Sequence, residues 1–169
     1  MGTRTGDLDP AVTFHLARHG VPLDRIEDSY EHRSGLRGLC GDNDLRGVQQ
    51  RAAAGDPAAR LALDVYCHRI RKYVGAYLAV LGRLDAIAFT AGVGEHSALV
   101  RSRSLAGLDV LGIAVDERRN AGSGERLISP DGARVAVCVV PTDEERAIAG
   151  EVADLLHLHD PAGGAKPSG

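Results

Sequence analysis

The sequence predicts one α/β domain, and three observations carry that expectation. Asp85 to Ser97 (DAIAFTAGVGEHS) joins a short apolar run, a pair of glycines and the start of a helix. Arg134 to Val140 (RVAVCVV) is β-branched and almost continuously apolar, which reads as an internal strand. Ahead of both, Leu61, Val65, Ile70, Val74, Tyr77 and Leu81 recur at steps of three to five residues, the spacing of a core-facing helical stripe.

In chain order, Met1 to Pro10 is polar and glycine-containing and is expected to be extended. Asp9 caps a helix that begins at Pro10, carries Val12, Phe14, Leu16 and Ala17, and stops near Gly20. A second short helix is expected from Leu23 to Tyr30. His32 to Val48 holds glycines at 35, 38 and 41 and reads as a structured loop. Asp44 is placed to cap a helix running to Ala54. After the turn Gly55-Asp56-Pro57, the longest helix runs from Ala58 to Leu81 and closes on Gly82. Ala86 to Phe89 is then a strand covered on both faces, and Ser97 caps a helix to Leu105. Ile113 to Asp116 reads as a strand fragment, Asp116 to Asn120 as one helical turn, and Ser123 to Asp131 as a polar loop. Pro141-Thr-Asp-Glu-Glu145 opens a last helix carrying Ala147, Ile148, Val152, Leu155 and Leu156. The folded unit is expected to span 1–158, with 159–169, rich in Pro, Gly, Ala and Ser, as a disordered tail.

Composition narrows the function. The chain has 169 residues, 44% hydrophobic and 25% charged, enough for one domain with a proper core. A net charge of −3 argues against a general nucleic-acid or acidic-membrane binder. No run of about 18 apolar residues is present, so no transmembrane helix is expected. The first residues lack the apolar stretch of a signal peptide. The three cysteines, Cys40, Cys67 and Cys138, are odd in number and form no CxxC. They suit reduced thiols in the cytoplasm and imply neither a disulfide frame nor a zinc site.

Four places hold candidate chemistry, each beside a purely structural alternative. Gly92 and Gly94 allow a ligand close to the backbone after a strand, a ready nucleotide site, yet such βα turns are also common without one. Asp44 and Arg46 can accept from hydroxyls and grip or stack on planar groups, or Asp44 only caps and Arg46 is exposed. His68, Arg69, Arg71 and Lys72 read as a solvated face, or as a contact for phosphate or a partner. Thr142 and Glu145 stand in capping-box relation, which leaves Glu144 pointing elsewhere, where it can hold Mg²⁺. Arg4, on composition, is a solvated surface arginine. A dinucleotide fold is a poor fit, because Ser97 stands where its third glycine belongs.

Six collinear motifs then resemble one family. They are Met-Gly-Thr-Arg-x-Gly-Asp-Leu-Asp-Pro (1–10), Ser-Gly-Leu-Arg-Gly-Leu (34–39), Asp-Leu-Arg (44–46), Arg-Ile-Arg-Lys-Tyr-Val-Gly-Ala-Tyr (69–77), Phe-Thr-Ala-Gly-Val-Gly-Glu (89–95) and Pro-Thr-Asp-Glu-Glu (141–145). In order and separation they resemble the C-terminal part of the acetokinase family, the acetate kinases. The resemblance implies a ribonuclease-H-like domain of the actin-like ATPase superfamily, a mixed sheet flanked by helices. It implies reversible transfer of the γ-phosphoryl group of ATP to acetate, giving ADP and acetyl phosphate, with Mg²⁺. Carried over by position, Arg4 resembles the transition-state arginine. Asp44, Leu45 and Arg46 match the segment contacting ATP or ADP. Gly92, Val93, Gly94, Glu95 and His96 match the adenosine-side loop, and Glu144 the Mg²⁺ carboxylate. His96 and Asp143 stand where the family usually has Asn. The resemblance also implies a homodimer through this domain and a cytoplasmic enzyme with no nucleic-acid or membrane partner.

The resemblance covers less than half of a family member. The N-terminal half would carry the phosphate-binding hairpin, the acetate pocket, a second catalytic arginine, an aspartate and a histidine. A truncated frame or a split gene is therefore expected, with a separate N-terminal half as a candidate partner. Alone, this stretch is expected to be a poor phosphotransferase, since positioning and charge stabilisation supply most of that chemistry. The alternatives are a non-catalytic nucleotide-binding or dimerising remnant, and a fragment of a propionate or butyrate kinase.

Overall fold

The computed structural model describes residues 1–156, with every side chain among them except those of 144–147. The expected tail at 159–169 lies outside the described residues. Four helices open the chain: α1 (Ala11–Arg18), α2 (Leu23–His32), α3 (Gly35–Cys40) and α4 (Leu45–Ala53). The long helix α5 (Pro57–Leu81) leads to strand β1 (Ala86–Phe89), then α6 (Ala91–His96) and α7 (Ala98–Leu105). A 3-10 turn, α8 (Glu117–Asn120), β2 (Arg126–Leu127), β3 (Ala136–Val139) and α9 (Glu144–Leu155) complete the fold.

The sheet is mixed and ordered β1-β3-β2. Strand β3 runs parallel to β1, pairing Ala86 with Ala136 and Phe89 with Val139. It runs antiparallel to β2, pairing Leu127 with Cys138. The β-branched run is thus the central strand, as its composition predicts. Strand β1 is at the edge, and here the expectation of cover on both faces is corrected. Ile87 and Phe89 pack on the sheet core, whereas Ala86 and Ala88 are exposed.

Local signals place the helix ends well. Asp56 accepts from the amides of Ala58 and Ala59, and Pro57 takes the first position of α5, where it loses no hydrogen bond. Gly82 ends α5 at φ 70°, the left-handed conformation glycine adopts without a Cβ clash. The Asp9 carboxylate accepts from the Ala11 amide, so it serves the first turn of α1.

Two further elements stand where loops were expected. The stretch 32–48 contains α3, which has no side-chain cap at Ser34. Instead the carbonyls of Met1 and Gly2 take the amides of Leu36 and Arg37. Gly35 allows this approach: a Cβ there would lie 2.6 Å from the Met1 carbonyl oxygen. The loop at 123–131 contains β2, whereas the expected strand at 113–116 does not form.

Among the described residues there are two cores. One joins α3, α4, α5 and α7 through Leu36, Val48, Leu63, Cys67 and Val100. The other underlies the sheet through Leu105, Ile113, Ile128, Val135, Val137 and Val139. The stripe predicted on α5 is only partly right. Ala59, Ala62, Leu63 and Cys67 are the buried face, while Leu61, Val65, Tyr77 and Leu81 are exposed. The helix has two apolar faces, and periodicity alone does not rank them. The basic cluster is not simply solvated either. Arg69 pairs with Asp7 at 2.7 Å, and Arg71 donates to the carbonyls of Arg103 and Ser104, so both tie α5 to other segments.

Candidate functional site

Parallel pairing brings the C-terminal ends of β1 and β3 side by side, and the Val140 amide donates to the Phe89 carbonyl at 2.9 Å. Open α/β sheets bind ligands in the crevice beyond such strand ends. The segment after Phe89 is not an open glycine turn, as expected, but the short helix α6. The backbone turns into it at Ala91, which has φ 56°, the one positive φ of a non-glycine among the described residues. A left-handed alanine costs about 1–2 kcal/mol.

The two glycines of α6 have different reasons to be there. A Cβ on Gly94 would sit 3.3 Å from the Phe89 carbonyl carbon, so Gly94 lets the helix pack on its own strand. A Cβ on Gly92 would meet nothing within 4 Å. Gly92 therefore faces open space, and Val93 beside it packs against the helical core. One short helix has little dipole to offer, so the ligand reading rests on that open approach.

Glu95 has a clear local task. Its carboxylate accepts from the Thr142 amide and hydroxyl, each at 2.9 Å. These two bonds, the backbone one first, hold its carboxyl below the usual glutamate range. The glycine helix is thereby fastened to the segment leaving β3. Thr142 donates to Glu95, while Glu145, the other half of the expected capping box, has its side chain outside the described residues. The Glu144 side chain lies outside them too, although α9 begins at that residue. His96 is exposed, with its Nδ1 2.8 Å from the Gly92 carbonyl oxygen.

On the opposite side, Asp44 caps α4 by accepting from the Arg46 amide at 3.0 Å. Its carboxylate also takes the Arg46 guanidinium at 3.3 Å, and this bond is the first cause holding its carboxyl below the ordinary range. Arg46 is 88% exposed. The capping role and an outward-facing arginine thus coexist. Leu45 between them is buried in the same helical core that Val93 packs against. Ser97 caps α7 by accepting from Val100 and donates to the Gln49 side chain of α4 at 3.0 Å. The helix that Asp44 caps is therefore tied to the segment that follows the glycine helix. Arg4 is 72% exposed and pairs with Glu31 at 3.1 Å. Its segment lies against Asn43, since a Cβ on Gly2 would be 3.6 Å from the Asn43 Cβ.

The structure also brings in residues that the sequence did not single out. Arg101 on α7 is 1% exposed, and Asn120 at the end of α8 is fully buried. Both line a cleft of about 300 Å³ together with Glu95, His96, Arg126 and Pro141. An arginine on an amphipathic helix ordinarily reads as surface, so no sequence signal marked it. A larger apolar groove of about 460 Å³ lies elsewhere, between the N-terminal segment and α5. Among the described residues no group of three or more His, Cys, Asp or Glu converges as a metal site. No described helix is long and apolar enough to cross a membrane.

A mixed sheet flanked by helices, with a glycine helix leaving its parallel strand ends, is the α/β architecture that this chain shares with solved acetate kinases, a ribonuclease-H-like domain of the actin-like ATPase superfamily. Residues 1–150 match the Acetokinase family, and the chain belongs to it. The acetate kinase of Streptomyces coelicolor is 60% identical over 159 residues, 92% of this chain and 39% of that protein. The acetate kinase of Clavibacter michiganensis is 59% identical over 152 residues, 88% of this chain and 38% of that one. The crystal structure of Porphyromonas gingivalis acetate kinase superposes with a TM-score of 0.84 at 39% identity, covering 92% of this chain and 40% of that one. A propionate kinase from Francisella tularensis gives 0.83 at 37% identity, covering 89% and 39%. The chain thus spans about two fifths of the relatives it matches.

Proposed function

We propose that this chain is the nucleotide-holding part of an acetate kinase-type phosphotransferase, which moves the γ-phosphoryl group of ATP to acetate and gives ADP and acetyl phosphate. The observation that carries this reading is the junction at the strand ends: open space over Gly92, the Glu95–Thr142 bond that ties the glycine helix to the β3 exit, and the Ser97–Gln49 bond that ties the start of α7 to α4, whose first turn carries Asp44 and Arg46. A nucleotide fits those residues. The Gly92 backbone allows close approach, Arg46 offers an exposed guanidinium to stack or donate, and Asp44 offers acceptor lone pairs to hydroxyls.

Arg4 is proposed to offset charge on the transferring phosphoryl group, by a guanidinium that needs only to leave an exposed pair with Glu31. Magnesium is commonly held by one or two carboxylates plus phosphate oxygens and water, so Glu144 is proposed as the protein's share. When bound, the ion neutralises phosphate charge. The named relatives leave the acid open between acetate and propionate, because both kinds of kinase align over the same stretch. The exposed Leu61, Val65, Tyr77 and Leu81 support a second copy of the chain as a further partner.

Calorimetry tests the nucleotide reading. Mg-ADP should bind the purified chain, and both Arg46→Ala and Gly92→Val should weaken it. A folded chain that takes no nucleotide overturns this reading. If binding holds, mixing with the N-terminal half of a relative should restore acetyl phosphate formation. Without that gain the chain is a nucleotide-binding remnant.

A further inference from the structure

Arg101 is a buried cation without a carboxylate partner among the described residues. Its Nε donates to the Asn120 side-chain oxygen at 2.8 Å, and one terminal nitrogen donates to the Asn120 carbonyl at 2.8 Å. The other terminal nitrogen donates to the carbonyls of Gly94 and Glu95 at 2.7 and 2.9 Å. Those carbonyls lie in the last turn of α6, and Asn120 ends α8. Helix C-termini leave carbonyls without intrahelical partners, so carbonyls from two of them converge on the guanidinium and stand in for its counterion. Burying a charge is costly unless its donors are used, and here four bonds use them.

Asn120 is the hub on the far side. Its amide donates to the Ala98 carbonyl at 2.9 Å, and its carbonyl also accepts from Arg126 at 3.1 Å. The planar fork of Arg101 therefore fixes the distance between α8 and the glycine helix. A lysine, with one rotatable ammonium, cannot hold both ends.

The geometry points to Arg101, held by Asn120, as a positioning residue that sets the glycine helix α6 for the nucleotide through the Gly94 and Glu95 carbonyls. This rests on the nucleotide reading above. It goes beyond that reading by assigning the order of the loop to a guanidinium clamp at the C-terminal end of α6.

Hydrogen exchange on the full chain tests it without ligand. In Arg101→Lys, the amides of 94–97 should exchange at least about tenfold faster, while those of Ala62, Leu63 and Cys67 in α5 keep their protection. Arg103→Lys, on the same helix but paired outward with Asp64, should leave 94–97 unchanged. If Arg101→Lys does not fold, Asn120→Ala removes one of the four acceptors and should open the same amides. Unchanged exchange at 94–97, or an equal rise throughout the chain, overturns the clamp.

Mg-ADP calorimetry separates the two readings. Affinity about tenfold lower in Arg101→Lys supports positioning, and equal affinity overturns it. A folded parent chain that binds nothing removes the nucleotide reading, and exchange then still decides whether the clamp orders the loop.

Discussion

The two sides of the proposed nucleotide site are built differently. The glycine helix is held from several directions: Gly94 against Phe89, Glu95 on Thr142, and Arg101 on its last carbonyls. The Asp44–Arg46 end is held by one cap and a buried leucine, and its charged groups face outward. The first side is shaped by tertiary packing, the second by local chemistry at a helix start. Substitutions at the packed positions of the first should therefore act on folding and site together, and those at its open glycine or at the outward Arg46 mostly on the ligand.

The sharpest test of that contrast is Gly94→Val. With backbone atoms of Phe89 at 3.3 and 3.5 Å from a new Cβ, overpacking should cost about 1–3 kcal/mol in denaturant unfolding. Gly92→Val, two residues away, should leave the unfolding midpoint nearly in place and still weaken nucleotide binding. Equal destabilisation by both would erase the distinction drawn between the two glycines. Next in size, Asp44→Ala should lower Tm by about 2–4 °C through loss of one helix cap. Ala91→Gly should raise stability by about 0.5–1 kcal/mol, since glycine accepts the left-handed turn but has more freedom to lose on folding. A fall in stability there would mean that the alanine methyl contributes packing that outweighs the strain.

The smallest effect is read from pH. Glu95 is held below the usual glutamate range, so its bond to Thr142 contributes stability above that range. The contribution is lost as pH falls through the lowered folded value. Glu95→Gln should flatten this acid limb of the stability profile by lowering stability slightly at neutral pH and leaving the acid end little changed. An unaltered acid limb would show that the Glu95–Thr142 bond adds nothing to folding.

How much was legible from the chain alone varies by element. Strand β3 was readable, because a β-branched run of that length suits only a buried strand. Helix α5 was readable in extent, because Asp56, Pro57 and Gly82 mark its ends. Its buried face was misread, because both faces carry apolar residues: small Ala59, Ala62 and Cys67 with Leu63 pack inside, and larger Leu61, Val65 and Tyr77 stay outside. Helix α3 was missed since its first amides are satisfied by Met1 and Gly2, some 35 residues earlier in sequence, and not by a side-chain cap. At the site, the motif positions of Asp44, Arg46, Gly92 and Glu95 were visible, but the link from Glu95 to Thr142 was not.

Local signals in the chain settle the α/β class, most helix ends and the family, because caps, glycine stops and motif order are properties of neighbouring residues. Long-range contacts settle which face of α5 is inside, which glycine packs and which opens, and where Arg101 goes. The reason is physical. A buried guanidinium is tolerable only where several carbonyls from distant segments converge, and that convergence exists only after the sheet and helices have packed.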